Sequence, residues 1–303
     1  MPQEGFTLPS SRSPHFPAPG TLHPALALSL PSSPSPSARA RGALVGLAAG
    51  NALALGAPPD GQIALALIQA EELLAPEPDL ERLVRRWIEW KRDDGRGIGG
   101  WTGTALDHIA THGSPPAGIG PDPGTGSLIR CIPIALATAG HPRNLVSGTF
   151  HLAWLLHPEP VCAWGAVALN VALARLLHGF RDIVPDVIEA LRNNQAPEPL
   201  LAAARRVPLI RREDLPVNVS APGRVVDAVT IALWFAHHEP RLERGLQWLA
   251  DAGGHAPVHA ALAGALLGAR DGESAIPNSW LAPVPNLMHI RDLADRLVRP
   301  AGP

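Results

Sequence analysis

The 303-residue sequence predicts an all-α protein with one compact multi-helix domain, and three observations support this class. Ala and Leu dominate the apolar residues, whereas aromatic residues make up only 4% of the chain and Tyr is absent; this composition favours closely packed helices. Apolar residues recur at helical spacing from residue 41 onward, and strand-like alternation is nearly absent. Hydrophobic residues make up 46% of the chain and charged residues 17%, which permits a sizeable core.

The first 40 residues differ from the rest, because they are rich in Pro and Ser and lack apolar periodicity. We interpret residues 1–40 as a disordered tail and place the all-α domain at residues 41–299. The apolar run ALALSL at 25–30 is too short for the core of a signal peptide.

Helical patterns then follow one another along the domain. The segment 41–57 is apolar almost all round, which predicts a central helix. The apolar segment 161–177 is interrupted by Asn170 and Arg175, so a buried helix is preferred to a membrane span. A Pro- and Gly-rich loop is predicted at 114–127. The other helices are predicted at 62–74, 79–94, 102–113, 128–139, 143–156, 159–178, 182–193, 199–206, 224–237, 241–250, 257–269 and 289–298.

Two of these helices carry small residues at every fourth position. Glycine inside a helix lowers stability by about 1 kcal/mol relative to alanine, so the glycines need a compensating role. A ridge without side chains lets two helix backbones approach closely, and we predict that the two helices lie in the middle of the bundle and pack there against each other. The ridges are Gly42, Gly46 and Gly50 in one helix and Ala260, Gly264 and Gly268 in the other.

Charge and cysteine content narrow the range of functions. The formal net charge is −2 and no long basic run occurs, so electrostatics give no support to nucleic-acid binding. No membrane contact is predicted either. Cys131 and Cys162 lie in apolar segments without a Cys-x-x-Cys pair, which is typical of buried thiols. We therefore expect a cytoplasmic protein without a disulfide or a cysteine-based zinc site.

Four segments in succession resemble the ADP-ribosylglycohydrolase family. They are GALVGLAAGNALALGAP (42–58), GTGSLIRCIPIALA (124–137), LLHPEPVCAWGAVALNVALARLLHG (155–179) and GGHAPVHAALAGALLGARDGESAIPNSWL (253–281). Each segment is weakly specific by itself, but the four occur in the order that the family shows. The likeness covers most of residues 41–285.

The resemblance implies an all-α fold and the hydrolysis of a glycosidic bond that links ADP-ribose to a side chain or a small acceptor. It also implies two magnesium or manganese ions, held by an early Thr-Asp-Asp motif and a late Gly-Gly-Asp-x-Asp-Thr motif. Carboxylates suit this role because Mg²⁺ is a hard cation that prefers oxygen ligands. Such ions orient hydroxyl groups, stabilise charge and activate water.

The early motif has lost most of its ligands. Pro58 and Pro59 stand where the family has Thr and the first Asp, whereas Asp60 stands at the second Asp. Asp60 is therefore the candidate catalytic residue and the candidate metal ligand of this segment. In the preceding helix Asn51 stands where many relatives carry Asp.

The late motif is more altered. His255 replaces its first Asp, Pro257 its second Asp and Val258 its Thr. One remaining carboxylate cannot offset two doubly charged ions, and the side chains of proline and valine contain no ligand atoms. We therefore predict that the dinuclear Mg site has been lost and that no cofactor is required.

A rebuilt metal site is the alternative. His255 and His259 are four residues apart, so on a helix they would share a face. Together with Asp60 they would form a two-histidine, one-carboxylate set, which suits Zn²⁺ or Fe²⁺ better than Mg²⁺. Pro257 argues against it, because it indicates that His255 precedes the first helical turn.

The segments that would face a phosphate are better preserved. A glycine-rich loop with Gly124 and Gly126 runs into a helix that carries Ser127 and Arg130, and free N–H groups at such a junction favour an anion. The alternative is a structural role, with Ser127 as a helix cap and Arg130 in a salt bridge. By resemblance His157 would contact the ribose or the nucleotide, although it also fits the start of a helix.

A second glycine-rich stretch, GRGIGGWTGT at 95–104, resembles another cleft-lining loop. Gly99, Gly100 and Thr102 would allow a ligand to approach the backbone closely. The alternative is a turn followed by a helix that Thr102 caps.

Three functions follow as hypotheses. The first is a family member that has lost metal-dependent hydrolysis but keeps a cleft for ADP-ribose or a related nucleotide. The second is an active hydrolase of an ADP-ribosyl bond that uses substituted metal ligands or none. The third is a structural or interaction protein with a filled cleft, whose protein partner the sequence does not identify.

Overall fold

Two glycine-rich helices lie against each other at the centre of the fold. They are α1 (Pro36–Leu55) and α13 (Ala256–Asp271), and most residues of both are buried. A β-carbon added at Gly46 would overlap the carbonyl oxygen of Gly264, and the other two pairs along the ridges are equally close. The predicted contact between the two small-residue ridges is therefore confirmed.

The computed structural model describes residues 33–116, 124–217 and 225–298. These ranges contain fifteen α-helices and no β-strand, so the predicted all-α class is confirmed. Besides α1 and α13, the helices are α2 (Gly61–Leu73), α3 (Leu80–Asp93), α4 (Gly100–His112), α5 (Gly126–Arg130), α6 (Ile132–Thr138), α7 (Pro142–Leu156), α8 (Pro160–Leu177), α9 (Val184–Asn193), α10 (Glu198–Arg206), α11 (Val225–His238), α12 (Leu242–Asp251), α14 (Asn278–Leu281) and α15 (Leu287–Leu297).

The first helix begins at Pro36, before the predicted domain boundary at residue 41. Ser35 caps it, because the Ser35 side chain accepts a hydrogen bond from the N–H of Ala38, and Pro36 occupies the first helical position. The helix ends at Gly56 in the left-handed conformation. The predicted disordered tail lies outside the described residues as far as residue 32.

The predicted helix 128–139 is two helices. α5 ends at Arg130 and α6 begins at Ile132, with Cys131 between them in a turn. Pro133 explains the break, because it has no N–H to donate to the carbonyl four residues earlier. The two short helices therefore place the residues around Arg130 at a bend rather than within a continuous helix.

The most apolar helix, α8, is largely buried within the fold, as predicted. Among the described helices it alone has the length and hydropathy of a membrane span, and 72% of that window is buried. Asn170 in its middle donates hydrogen bonds to the carbonyl of Cys131 (2.8 Å) and to the hydroxyl of Thr149 (2.9 Å). Cys131 and Cys162 are free and buried, as expected from the sequence.

Candidate functional site

One part of the candidate site is the turn before α2, which Asp60 stabilises. Asp60 caps α2, because its Oδ1 accepts a hydrogen bond from the N–H of Gln62 (3.0 Å). Burial raises the pKa of the Asp60 carboxyl, and hydrogen bonds from the Asn51 side chain and from the Gln62 and Ile63 backbone partly oppose that shift. Asp60 is thus a partly buried carboxylate whose first oxygen is engaged by its own helix.

Asn51 joins this turn to two other helices. Its Nδ2 donates to Asp60 Oδ2 (3.1 Å) and to the carbonyl of Pro257 (3.3 Å), while its Oδ1 accepts from the N–H of Asp60 (2.8 Å). The chemistry of the partners fixes the orientation of the amide, since a carbonyl only accepts and an N–H only donates. We call these three hydrogen bonds the Asn51 clasp. The clasp connects α1, the turn before α2 and the start of α13.

Gln62 connects the two glycine-rich loops. Its Nε2 donates to the hydroxyl of Thr102 (3.1 Å) and to the carbonyl of Ile98. A β-carbon added at Gly126 would lie 2.7 Å from Thr102 Oγ1 and 2.9 Å from Gln62 Oε1, and one at Gly99 would lie 3.4 Å from Gln62 Nε2. The predicted residues Gly99, Thr102 and Gly126 are therefore brought together around a glutamine that the sequence analysis did not select.

The capping alternatives for the two loops are wrong. Thr102 lies inside α4, and the cap position is taken by Gly99 at φ +80°. Ser127 lies inside α5, and in the described part of the chain its buried hydroxyl has no hydrogen-bond partner. Gly100, also predicted to bind the ligand, is exposed at the start of α4 with open space at its β-carbon position.

Arg130 is a buried cation without a carboxylate partner. Its side chain is fully buried and its Cζ lies 5.2 Å from the ring centroid of Trp87. Its Nε and Nη1 have no hydrogen-bond partner among the described residues. Burial lowers its pKa to about 10, so the guanidinium stays charged near neutral pH. The described residues offer it no ion pair, so the alternative of a structural salt bridge is wrong.

The contact between Arg130 and His157 determines which ring nitrogen of the histidine carries the proton. Arg130 Nη2 lies 3.3 Å from His157 Nδ1, and because a guanidinium only donates, Nδ1 must accept. Burial, reinforced by the charge of Arg130, holds the pKa of His157 well below its usual value. The neutral ring therefore carries its proton on Nε2, which would lie 4.0 Å from a β-carbon added at Gly124. His157 presents an N–H donor on the side of the glycine-rich loop.

Known proteins of similar sequence and fold identify the family of this chain. The profile of the ADP-ribosylglycohydrolase family matches residues 32–302. The chain belongs to the ADP-ribosylglycohydrolase family. It is 29% identical over 184 residues to the ADP-ribosyl-dinitrogen reductase glycohydrolase of Rhodospirillum rubrum, an alignment that spans 60% of this chain and 58% of the relative. A solved structure of an ADP-ribosylglycohydrolase-related protein complex is 25% identical, with a TM-score of 0.72 over 87% of this chain and 98% of that one.

The family is typically dependent on two metal ions, and the residues of this chain do not fit them. Pro58, Pro59, Pro257 and Val258 contribute no ligand side chain. Both oxygens of Asp60 already accept hydrogen bonds. In the part of the chain that the structure describes, no group of three His, Cys, Asp or Glu side chains is arranged to hold a metal ion.

Asp60, His255 and His259, the rebuilt set considered as the alternative, likewise do not form such a group among the described residues. His255 is the N-cap of α13 and lies outside the helix, which begins at Ala256 with Pro257 in its first turn. The rings of His255 and His259 are 6.4 Å apart between centroids. His259 is buried, and within residues 33–116, 124–217 and 225–298 its Nδ1 has no hydrogen-bond partner.

The two buried histidines predict that the protein loses stability in acid. Burial, with a smaller contribution from His255, lowers the pKa of His259 to about 4, and His157 is lowered as well. The unfolded chain binds more protons below its own pKa of about 6.5, so the free energy of unfolding falls as pH decreases from there. For His259 this loss continues to about pH 4, at up to about 1.4 kcal/mol per pH unit.

Urea unfolding of the wild type between about pH 7 and pH 4.5 measures the slope of the free energy of unfolding against pH. His259→Leu is expected to reduce the pH dependence of the free energy of unfolding by the equivalent of about one proton taken up on unfolding. It removes a group that only the unfolded chain protonates in this range. His151→Gln, a change at an exposed histidine, serves as the control and should leave the slope unaltered. An equal slope in wild type and His259→Leu would contradict the assignment.

Proposed function

We propose that this member of the ADP-ribosylglycohydrolase family binds ADP-ribose or a related nucleotide through its diphosphate, without two-metal hydrolysis. The observation that carries the proposal is Arg130, a fully buried guanidinium in which two nitrogens, Nε and Nη1, find no hydrogen-bond partner among the described residues. A buried charge is costly unless it is paired. A bound diphosphate would compensate the charge that the described residues leave unbalanced.

The neighbouring donors suit the same ligand. The Ser127 hydroxyl is buried and unpaired, and the Nε2–H of His157 lies near Gly124. Hydrogen bonds from such groups to an ionised oxygen are roughly twice as strong as those between neutral groups. Arg130 would supply charge and hold the His157 tautomer, while Ser127 and His157 would donate to phosphate oxygens.

The hydrogen bonds at Asp60 favour binding over hydrolysis. In the Asn51 clasp, Asn51 Nδ2 donates a hydrogen bond to Asp60 Oδ2, so an N–H group faces the oxygen that would otherwise be available to a metal ion. The other oxygen caps α2. We infer that Asp60 acts in the folding of this turn rather than as a metal ligand or a general base.

Titration calorimetry with ADP-ribose tests this function directly. We expect binding that is equal in about 1 mM EDTA and in about 5 mM MgCl₂, because no step of it requires a metal ion. His157→Leu should weaken binding at least about ten-fold by removing the donor, since one such hydrogen bond is worth roughly 1.4 kcal/mol. His157→Gln should restore it, because the glutamine amide can accept from Arg130 and still donate to the ligand.

Two results would overturn the proposal. One is ADP-ribose binding that requires Mg²⁺, and the other is turnover of ADP-ribosylated arginine or serine peptides that Asp60→Ala abolishes. Mass spectrometry of the peptides detects such turnover without a coupled assay. Arg130→Met, with circular dichroism as a check of folding, should also remove ADP-ribose binding.

The third hypothesis, a filled cleft, is favoured by one observation. The Gln62 amide occupies the space beside Gly126 and ties the 95–99 loop to α4 through Ile98 and Thr102. If the Gln62 side chain stays in this position, the wild type will not bind ADP-ribose, whereas Gln62→Ala will bind it. Binding by both proteins with similar affinity would support the open cleft instead.

A further inference from the structure

A groove lined by residues outside the glycine-rich loops runs between α2, α3, α6 and α7. It has a volume of about 450 Å³ and shares no lining residue with the candidate site described above. This volume lies within the usual range for small-molecule sites. Most of its lining is apolar and includes Leu73, Leu83, Ile134 and Leu152.

Gln69 of α2 is the unusual residue of this groove. Its side chain lines the groove and is only 1% exposed, and the residues that the structure describes offer no hydrogen-bond partner to its Oε1 or Nε2. Buried polar groups are nearly always paired, so a carboxamide with both atoms unpaired requires an explanation. Because no hydrogen bond restrains its broad terminal torsion, the amide can turn toward the groove.

The polar groups around the groove define the ligand chemistry. Gln69 offers a donor and an acceptor side by side, which match a neutral group with an adjacent C=O and N–H. Glu72 and Asp79 also line the groove, and Glu72 is ion-paired with Arg82, which lies outside the lining. The described lining offers an anionic ligand no cation to pair with, so an amide is preferred to a carboxylate of the same shape.

From these contacts we propose that the groove binds a small, largely apolar molecule that carries a neutral carboxamide or lactam edge, which pairs with Gln69. Gln69 lies two turns along α2 from Gln62, so both side chains leave the same side of the helix. The groove is nevertheless a separate site, and its occupancy does not depend on the nucleotide function proposed above.

Three matched probes test the proposal on the full chain. 2-Naphthamide carries the amide edge, 2-acetylnaphthalene has the same shape without an N–H, and 2-naphthoate carries a negative charge. We expect 2-naphthamide to bind at least about ten-fold more tightly than either of the others, since a buried amide rejects an analogue that leaves it unpaired. Ligand-observed saturation-transfer NMR and calorimetry measure the three affinities.

Two variants separate a binding role from a structural one. Gln69→Leu should abolish the preference for 2-naphthamide while keeping or raising thermal stability, because it removes two unpaired buried atoms. Ser147→Trp, at an exposed position of the groove on α7, should block all three probes while Gln69 is unchanged. Equal affinities for the probes, no binding by the folded wild type, or a preference that survives in Gln69→Leu would each overturn the proposal.

Discussion

Gly46→Ala is expected to lower the free energy of unfolding by more than about 3 kcal/mol, an exceptional effect for one methyl group. The added β-carbon would overlap the carbonyl oxygen of Gly264, which belongs to the backbone of α13. A side chain could turn aside, but here two central helices must separate along their shared ridge. Chemical denaturation of the purified variant, followed by circular dichroism, measures the loss.

The control is the same substitution where space exists. Gly148 lies inside α7, and a β-carbon there would meet its nearest neighbour, Ile134 Cγ2, at an ordinary contact distance of 3.8 Å. Gly148→Ala should therefore stabilise the protein by up to about 1 kcal/mol, because alanine is the better helix former. If Gly46→Ala were no worse than Gly148→Ala, α1 and α13 would not be packed as closely as described.

The α1–α13 contact also shows why much of the fold was predictable. Glycine is costly in a helix, so three at four-residue spacing indicate a close backbone contact from the sequence alone. The break at Cys131 could have been predicted from Pro133, because a proline within a helix removes a hydrogen bond. The start at Pro36 was missed because the Pro- and Ser-rich composition of the tail obscured a local Ser-Pro capping signal.

The candidate site was predictable only where a local sequence pattern marks its residues. Thr102, Gly126 and His157 were selected because glycine loops and a family motif mark them in the sequence. Gln62 was missed because its role depends on Ile98 and Thr102, which tertiary packing brings to it. The unpaired state of Arg130 was likewise invisible, since sequence patterns do not report whether a carboxylate lies nearby in space.

Asn51→Asp is expected to destabilise the protein by about 3 kcal/mol at neutral pH, the second large effect. The change removes the donor of the Asn51 clasp and directs an oxygen at Asp60 Oδ2 and at the carbonyl of Pro257. Two carboxylates then face each other across about 3 Å, a distance at which like charges repel strongly in a partly buried site. Thermal unfolding followed by circular dichroism measures the loss.

The response of Asn51→Asp to magnesium tests whether the Asn51 amide stands in place of a cation beside Asp60. Two facing carboxylates form a weak cation site, so about 10 mM MgCl₂ should raise the unfolding temperature of Asn51→Asp by a few degrees and leave the wild type unchanged. Asn170→Asp is the control, because Asn170 also donates two buried hydrogen bonds, to Cys131 and Thr149, but neither partner is a carboxylate. Magnesium should not rescue it. A wild type stabilised by MgCl₂ to the same degree would mean that Asp60 holds a cation despite the Asn51 clasp, and the loss of metal binding would then be refuted.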